Sequence, residues 1–385
     1  MSGWPGPPKG GSENSPGCSA AEPWECLAPQ AAPEGRPNGL RILFLGIGNG
    51  TSGHRCAALQ RLGHDVTLVS PYAFLPRGRV FRYWTFHTGA AFLERYIQRH
   101  ILKAAGASQF DLVWVDNGEL IGASLVRRLK RRYGTVVNYN VDDPFSPNYG
   151  ARFRLYRQAI PEYSLVAVVR DVNVAEAKAA GAKSVLCVYR SADEIAHRPR
   201  DLSPDDWRRW ASDVLFVGTW FPERGPFLAE LIERGVPLAI YGDRWQKAKE
   251  WPALQPHWRG PGLYNDDDYA RAIQCAKISL GLLSKGNRDL HTTRSLEIPS
   301  LGGLFCAERT PDHLRLYKEG EEAVFWSGAQ ECAEKCFALL ACADKRSRIA
   351  RAGRNRCLAN QTLNEPALKT IIEAASGPEK SEPHS

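Results

Sequence analysis

The densest run of chemically capable side chains in this sequence lies at residues 285–303, KGNRDLHTTRSLEIPSLGG. Asp289 and Glu297 stand eight positions apart across a loop that enters a helix. A carboxylate on the first turns of such a helix can accept a pair of hydrogen bonds from the two hydroxyls of a ribose. Lys285, Arg288 and Arg294 can neutralise a diphosphate, because guanidinium and ammonium groups give the strong, charge-assisted class of hydrogen bond. His291 falls inside the same run and joins the donor-binding candidates. The plainer alternative is a solvated charge run, which the strand-forming threonines at 292–293 and the flanking glycines argue against.

Four other places carry comparable chemistry. Gly218-Thr219-Trp220 leads to Arg224-Gly225, a strand-to-helix turn where an Arg and the free N–H groups of a helix start would act together on a diphosphate; a surface Arg is the alternative. Asp142-Asp143-Pro144 follows an apolar run. Adjacent carboxylates there can orient a sugar hydroxyl, act as a general base or hold a metal, or Asp143 can simply cap a helix that Pro144 opens. Asp116-Asn117-Gly118-Glu119 offers the same choice between capping and substrate contact. Gly48-Asn49-Gly50-Thr51-Ser52-Gly53 is a literal G-x-G-x-x-G, with His54 directly after it. A dinucleotide site also wants an acid at the end of the second strand, to grip the ribose. Ser70-Pro71 stands there instead, so the loop is read as opening onto a cleft, with His54 either a cleft residue or a helix-start histidine.

Positioning these groups is the task of alternating strands and helices. RILFLG (41–46), DVTLVS (65–70), DLVWVD (111–116), TVVNYN (135–140), LVAVV (165–169) and SVLCV (184–188) are short apolar runs, most of them separated by helical patterns. A second cycle follows with DVLFVG (213–218), PLAIYG (237–242), ISLGLL (278–283), GLFCA (303–307) and AVFW (323–326), closed by helices over 329–361 and 365–375. Such alternation implies βαβ units and parallel sheets covered on both faces. The expected fold is α/β, two Rossmann-like domains facing each other across a cleft. The expected boundaries are a first Rossmann-like domain at 39–200, a second at 201–362 and a helix at 363–376 that packs back on the first domain. Flexible tails are expected at 1–38 and 377–385. The polar stretch 193–212 reads as the interdomain linker. The segment 71–89, rich in Pro, Arg and aromatics, reads as one loop, with acceptor binding, contact with an anionic membrane or simple packing as its roles.

Composition excludes several classes. At 385 residues the chain exceeds the roughly 250–300 that one core supports, so two domains are expected. No apolar run approaches the ~18–20 residues of a membrane-spanning helix. The net charge of +8 comes from 50 Lys+Arg against 42 Asp+Glu spread along the chain, which permits a phosphate ligand and specifies nothing. Arg127, Arg128, Lys130, Arg131 and Arg132 cluster at a helix C-terminus, where cations suit the dipole; no nucleic-acid partner is expected. Ten cysteines at irregular spacings, Cys332 and Cys336 the nearest approach to a pair, read as small core residues in a reducing compartment. No metal site is expected, and a cytoplasmic location is.

With these residues in view, the chain resembles the GT-B glycosyltransferases, particularly the group similar to the spore maturation protein CgeB. The stretch RSLEIPSLGGLFCAERTPDHLRLYKEGEEAVFW carries the pattern through Arg294, Glu297, Gly302 and Glu308. LGHDVTLVSP, FDLVWVDNG, VNYNVDDPF, RDVNVAEAKAAGAKSV and DEIAHRP agree in the first half, so the likeness spans about 40–375. The resemblance implies a metal-independent enzyme moving a sugar from a UDP-, GDP- or dTDP-linked donor, a co-substrate rather than a bound cofactor, to an acceptor of undetermined kind. Glu297 matches the second acid of the family's E-x7-E motif, which implies ribose binding. The first acid falls on Asp289, shorter than the usual Glu. Arg224 falls where the family places a basic residue on the diphosphate. Asp142 or Asp143 falls near the family's cleft His or Asp beside the reacting carbon. A non-catalytic GT-B scaffold binding a sugar or nucleotide is the alternative reading, and Asp289 is the feature that leans towards it.

Overall fold

The computed structural model describes residues 39–76 and 78–377. The tail expected at 1–38, most of that at 377–385, and Arg77 lie outside the described residues. Six strands form the first sheet: β1 Arg41–Leu45, β2 Asp65–Val69, β3 Leu112–Asp116, β4 Val136–Asn140, β5 Leu165–Val168 and β6 Val185–Cys187. Their order is β2-β1-β3-β4-β5-β6, all parallel. Six more form the second: β7 Ser212–Val217, β8 Leu238–Tyr241, β9 Trp258–Gly260, β10 Ala276–Gly281, β11 Phe305–Glu308 and β12 Val324–Trp326. These run β12-β11-β10-β7-β8-β9, again all parallel. β9 was not anticipated, because its residues, WRG, form no apolar run.

Helices cover both faces of each sheet. The first domain has α1 Gly50–Arg61, α2 Arg79–Thr88, α3 Glu94–Ala105, α4 Ala123–Tyr133, α5 Arg154–Ala159 and α6 Asp171–Ala179. α7 Pro204–Trp210 leads into the second domain, with α8 Arg224–Glu233, α9 Trp251–Leu254, α10 Asp266–Cys275, α11 Arg294–Ser300 and α12 Pro311–Leu316. α13 Ala329–Leu340, α14 Ala343–Ala359 and α15 Asn364–Ser376 complete the chain. Both faces of the central strands are buried, which is why they read as continuous apolar runs: every residue of β3 and β4 is buried, including Trp114 and Tyr139. Leu368 and Ile371 of α15 join Ile42, Phe44, Leu59 and Trp114 in one cluster, so the last helix packs against α1 and β5 of the first domain.

Two segments differ from the sequence reading. Residues 71–89 are not one loop: a 3-10 turn at Pro71–Phe74 precedes α2. The prolines all lie before residue 79, and 79–88 contains neither Gly nor Pro, so nothing in it opposes a helix. The presumed linker 193–212 contains α7, whose capping box pairs the Ser203 side chain with the Asp206 amide and the Asp206 carboxylate with the Ser203 amide. Among the described residues no helix is long and apolar enough to cross a membrane.

Candidate functional site

In open parallel sheets a ligand crevice lies beyond the carboxyl ends of the strands, where the strand order reverses. In the second sheet that point falls between β7 and β10. Arg224 spans it. Its guanidinium donates to the Thr219 carbonyl oxygen beyond β7 at 2.8 Å and to the Leu282 and Leu283 carbonyls beyond β10 at 3.1–3.3 Å. It also lies over the Phe221 ring at 4.5 Å. The group is buried and bonded to no carboxylate, and burial pulls its pKa down to about 10. A buried cation with no carboxylate bonded to it therefore stands at the start of α8, beside the crevice. Gly218 lies beside it: a Cβ there would meet Phe216 at 2.8 Å and Arg224 Nη1 at 3.3 Å.

Glu297 lies on α11, behind the same crevice, and is buried. It accepts from the Arg294 guanidinium and from Tyr269 Oη at 3.1 Å, while Arg294 also donates to the Val217 carbonyl and lies over the Tyr269 ring. Burial pushes the Glu297 pKa up, but Arg294 and His197 outweigh it and hold it down at about 2. His197 Nε2 is 3.5 Å from Glu297 Oε1, and His197 Nδ1 accepts the Asp193 amide at 2.8 Å. That amide fixes the tautomer, leaving the single proton on Nε2, towards Glu297. His54 stacks edge-on against His197 with ring centroids 5.6 Å apart and bonds Asp266 of the second domain at 3.1 Å. Burial lowers the His54 pKa, and the Asp266 carboxylate outweighs it, so the net shift is upward.

The loop between β10 and α11 crosses to the first domain. Arg288 donates to both Asp143 oxygens at 2.6–2.7 Å and to Glu176 at 2.8–2.9 Å, and Asn173 adds a bond to Asp143 at 2.9 Å. Asp289 accepts from Arg170 and, at 3.1 Å, from Arg190; these arginines stand just beyond the carboxyl ends of β5 and β6. His291 Nε2 accepts the Arg190 amide at 3.0 Å and its Nδ1 meets Asp312 at 2.7 Å. The Gly286 carbonyl accepts from Ser146 and Asn148. Lys285 is exposed, with Glu308 3.7 Å from its ammonium.

The sequence candidates thus separate into two sets. Gly218, Arg224, Arg294 and Glu297 line the reversal point of the second sheet. Arg288, Asp289, Asp143 and His291 are consumed in contacts between the domains. Arg288 is therefore not a free diphosphate cation here, and Asp143, wholly buried and doubly bonded to it, is not a free base. Asp142 is more open: it accepts from Asn117 Nδ2 at 3.1 Å and lies 3.6 Å from Arg152. Asp116 is taken by Arg55 in a buried pair, both bonds 2.8 Å. Sequence reasoning missed Arg170, Arg190 and His197. Arg170 and Arg190 do follow apolar runs, as ligand-facing residues should, so strand-end position was a usable signal; His197 had none. Arg170 Nε and Arg190 Nε are buried and have no hydrogen-bond partner.

Cys306 of β11 joins Cys332 and Cys336 of α13, with the three sulfurs within 4.8 Å of one another. The sequence had paired only the last two. All three are fully buried in the apolar core of the second domain.

Residues 224–371 match a family model described as glycosyl transferase-like. No curated protein matches. The whole described fold is similar to several solved structures. Anabaena Alr3699/HepE, in complex with UDP and glucose, superposes with a TM-score of 0.62 at 14% identity, over 88% of this chain and 99% of that one. Sucrose-phosphate synthase from Thermosynechococcus elongatus gives 0.63 at 13% identity, over 86% and 97%. A trehalose 6-phosphate synthase from Burkholderia multivorans gives 0.60 at 11% identity, over 88% and 99%. The chain has the two-domain GT-B fold.

Proposed function

We propose that this protein is a glycosyltransferase whose second domain holds a nucleoside diphosphate sugar and whose first domain presents the acceptor. The observation that carries the reading is Arg224: a buried guanidinium without a carboxylate partner, at a helix start, on the reversal point of the second sheet. A diphosphate supplies the missing negative charge. Glu297, held ionised nearby, suits the ribose hydroxyls. The glycosyl transferase-like match over 224–371 and the UDP complexes of the Anabaena relative support the same assignment. In the reaction, Arg224, with Lys285 at the rim, stabilises the charge growing on the departing diphosphate. This reading assigns that work to side chains and involves no metal. Asp142 is the carboxylate placed to orient or deprotonate an acceptor hydroxyl, with His54 the second candidate. Cleft closure excludes water and so favours transfer over hydrolysis.

Isothermal titration with UDP, GDP, ADP and dTDP tests the reading. One of them is expected to bind, and Arg224→Ala to weaken binding about 10- to 100-fold, the worth of a charge-assisted hydrogen bond. Release of free nucleoside diphosphate from the matching sugar donor then reports transfer. Absence of binding by all four overturns the proposal. Asp289 favours the second reading, a non-catalytic scaffold: with two arginines on it, it has no lone charge left for a donor sugar. Nucleotide binding without turnover on any acceptor distinguishes that case.

A further inference from the structure

One face of the first domain is left unexplained by either core. On α2, Val80, Tyr83, Trp84 and His87 fall at i, i+3, i+4 and i+7, hence on one side of the helix. That side is exposed: Val80 is 83% and Tyr83 64% accessible. Phe92, 80% accessible, stacks on Trp84 with ring centroids 5.9 Å apart. α3 continues the surface. Its inner face buries Ile97, Ile101 and Ala105, while Arg95, Tyr96, Arg99 and Lys103 point outward. Across 77–103 the sequence holds Arg77, Arg79, Arg82, Arg95, Arg99 and Lys103 against a single acid, Glu94. The basic end of α4 adjoins the strip, with Arg132 donating to the Gly106 carbonyl at the end of α3.

Large exposed apolar groups mark interaction sites, and the chemistry here selects the partner. Protein interfaces also gather Trp, Tyr, Phe and Arg, but an excess of six basic residues over one acid across 77–103 calls for an anionic partner. Aromatic rings of this kind settle at the headgroup level of a bilayer, and surrounding Arg and Lys pair with anionic phosphates. The surface also borders the cleft. Gly89, which ends α2, packs so closely on the 147–151 loop that a Cβ would lie 2.2 Å from the Ala151 carbonyl oxygen. Ser146 and Asn148, at the start of that loop, bond Gly286 of the second domain.

We propose that the aromatic and basic face of α2 and α3 docks the first domain on an anionic lipid surface, with the cleft mouth beside the membrane. The docking goes beyond the glycosyltransferase reading and does not depend on it. The test is co-sedimentation of the full chain with phosphatidylcholine vesicles, plain or carrying about one third phosphatidylglycerol. Binding is expected only to the anionic vesicles, weakening as salt rises. Two variants probe it separately, Tyr83→Ser with Phe92→Ser and Arg95→Glu with Arg99→Glu. Each is expected to lower vesicle affinity about tenfold or more, with unchanged circular dichroism and unchanged nucleotide titration. No pelleting with anionic vesicles, or equal pelleting of both folded variants, overturns the proposal. So does a dimer, seen by sedimentation velocity, that Phe92→Ser dissociates, because the face then belongs to a second copy of the chain.

Discussion

Glu297 and Arg224 hold opposite charges out of water by different means. Glu297 has a full counter-charge in Arg294 and a hydroxyl donor in Tyr269. Arg224 has only carbonyl dipoles and a ring face. The Glu297 charge is offset inside the fold, whereas no carboxylate is bonded to Arg224. Glu297→Gln strands Arg294, which is partly exposed, so the cost falls below that of a fully buried pair, at about 1–3 kcal/mol. Glu297→Gln is therefore expected to destabilise the fold by roughly that much in urea unfolding; a loss below about 1 kcal/mol would contradict the pairing. The pH dependence follows the same contact. A carboxylate held at about 2 in the fold, against about 4.3 unfolded, contributes stability above the unfolded value. That contribution is lost as pH falls through the folded one. The urea midpoints of wild type and Glu297→Gln should approach each other only in that acid window.

Elements carry the site through their turns, and those turns show what a sequence can reveal. Gly242 follows β8, and a Cβ on it would lie 1.9 Å from the Gly218 carbonyl oxygen, next in the chain to the Thr219 carbonyl that Arg224 bonds. Gly242→Ala must push the two turns apart. It is expected to cost about 1–3 kcal/mol and to weaken nucleotide binding with Arg224 intact; calorimetry beside thermal unfolding separates the two effects. Most strands were legible because burial on both faces writes an unbroken apolar run, as in LVWVD. Gly218 and Arg224 could be singled out because they follow β7, and Arg294 and Glu297 because charged residues there enter a helix; all four lie by the reversal point of the second sheet. α2 was not legible, because the prolines and arginines running into it obscured the i, i+3, i+4 spacing of Val80, Tyr83 and Trp84. The fates of Asp143 and Asp289 were not either: their partners Arg288, Arg170 and Arg190 lie between 99 and 145 positions away in the chain. No local pattern encodes such pairs.

Across the whole molecule, several of the contacts between domains are ionic. Arg288 with Asp143 and Glu176, Arg170 and Arg190 with Asp289, and His54 with Asp266 all join the two halves. A charged seam can open and close on a substrate more readily than a shared core, since separated charges regain water. Asp289 is central because two arginines converge on it. Asp289→Asn leaves Arg170 and Arg190 buried together without the charge that offsets their repulsion. The domains are then expected to part, seen as an increased radius of gyration in small-angle scattering, while each sheet keeps its circular dichroism. The His54 contact adds a pH term of defined sign. Its folded pKa is raised, so the protonated ring favours the joined state. That stabilisation is fully present below the unfolded value of about 6.5 and is lost as pH rises through the folded value. Asp266→Asn removes the partner. Wild type should therefore melt above the variant near pH 6, and the difference should vanish by about pH 9. A gap between the two proteins that persists unchanged at the alkaline end would mean that Asp266 stabilises α10 through its N-terminus instead, with no part in holding the domains together.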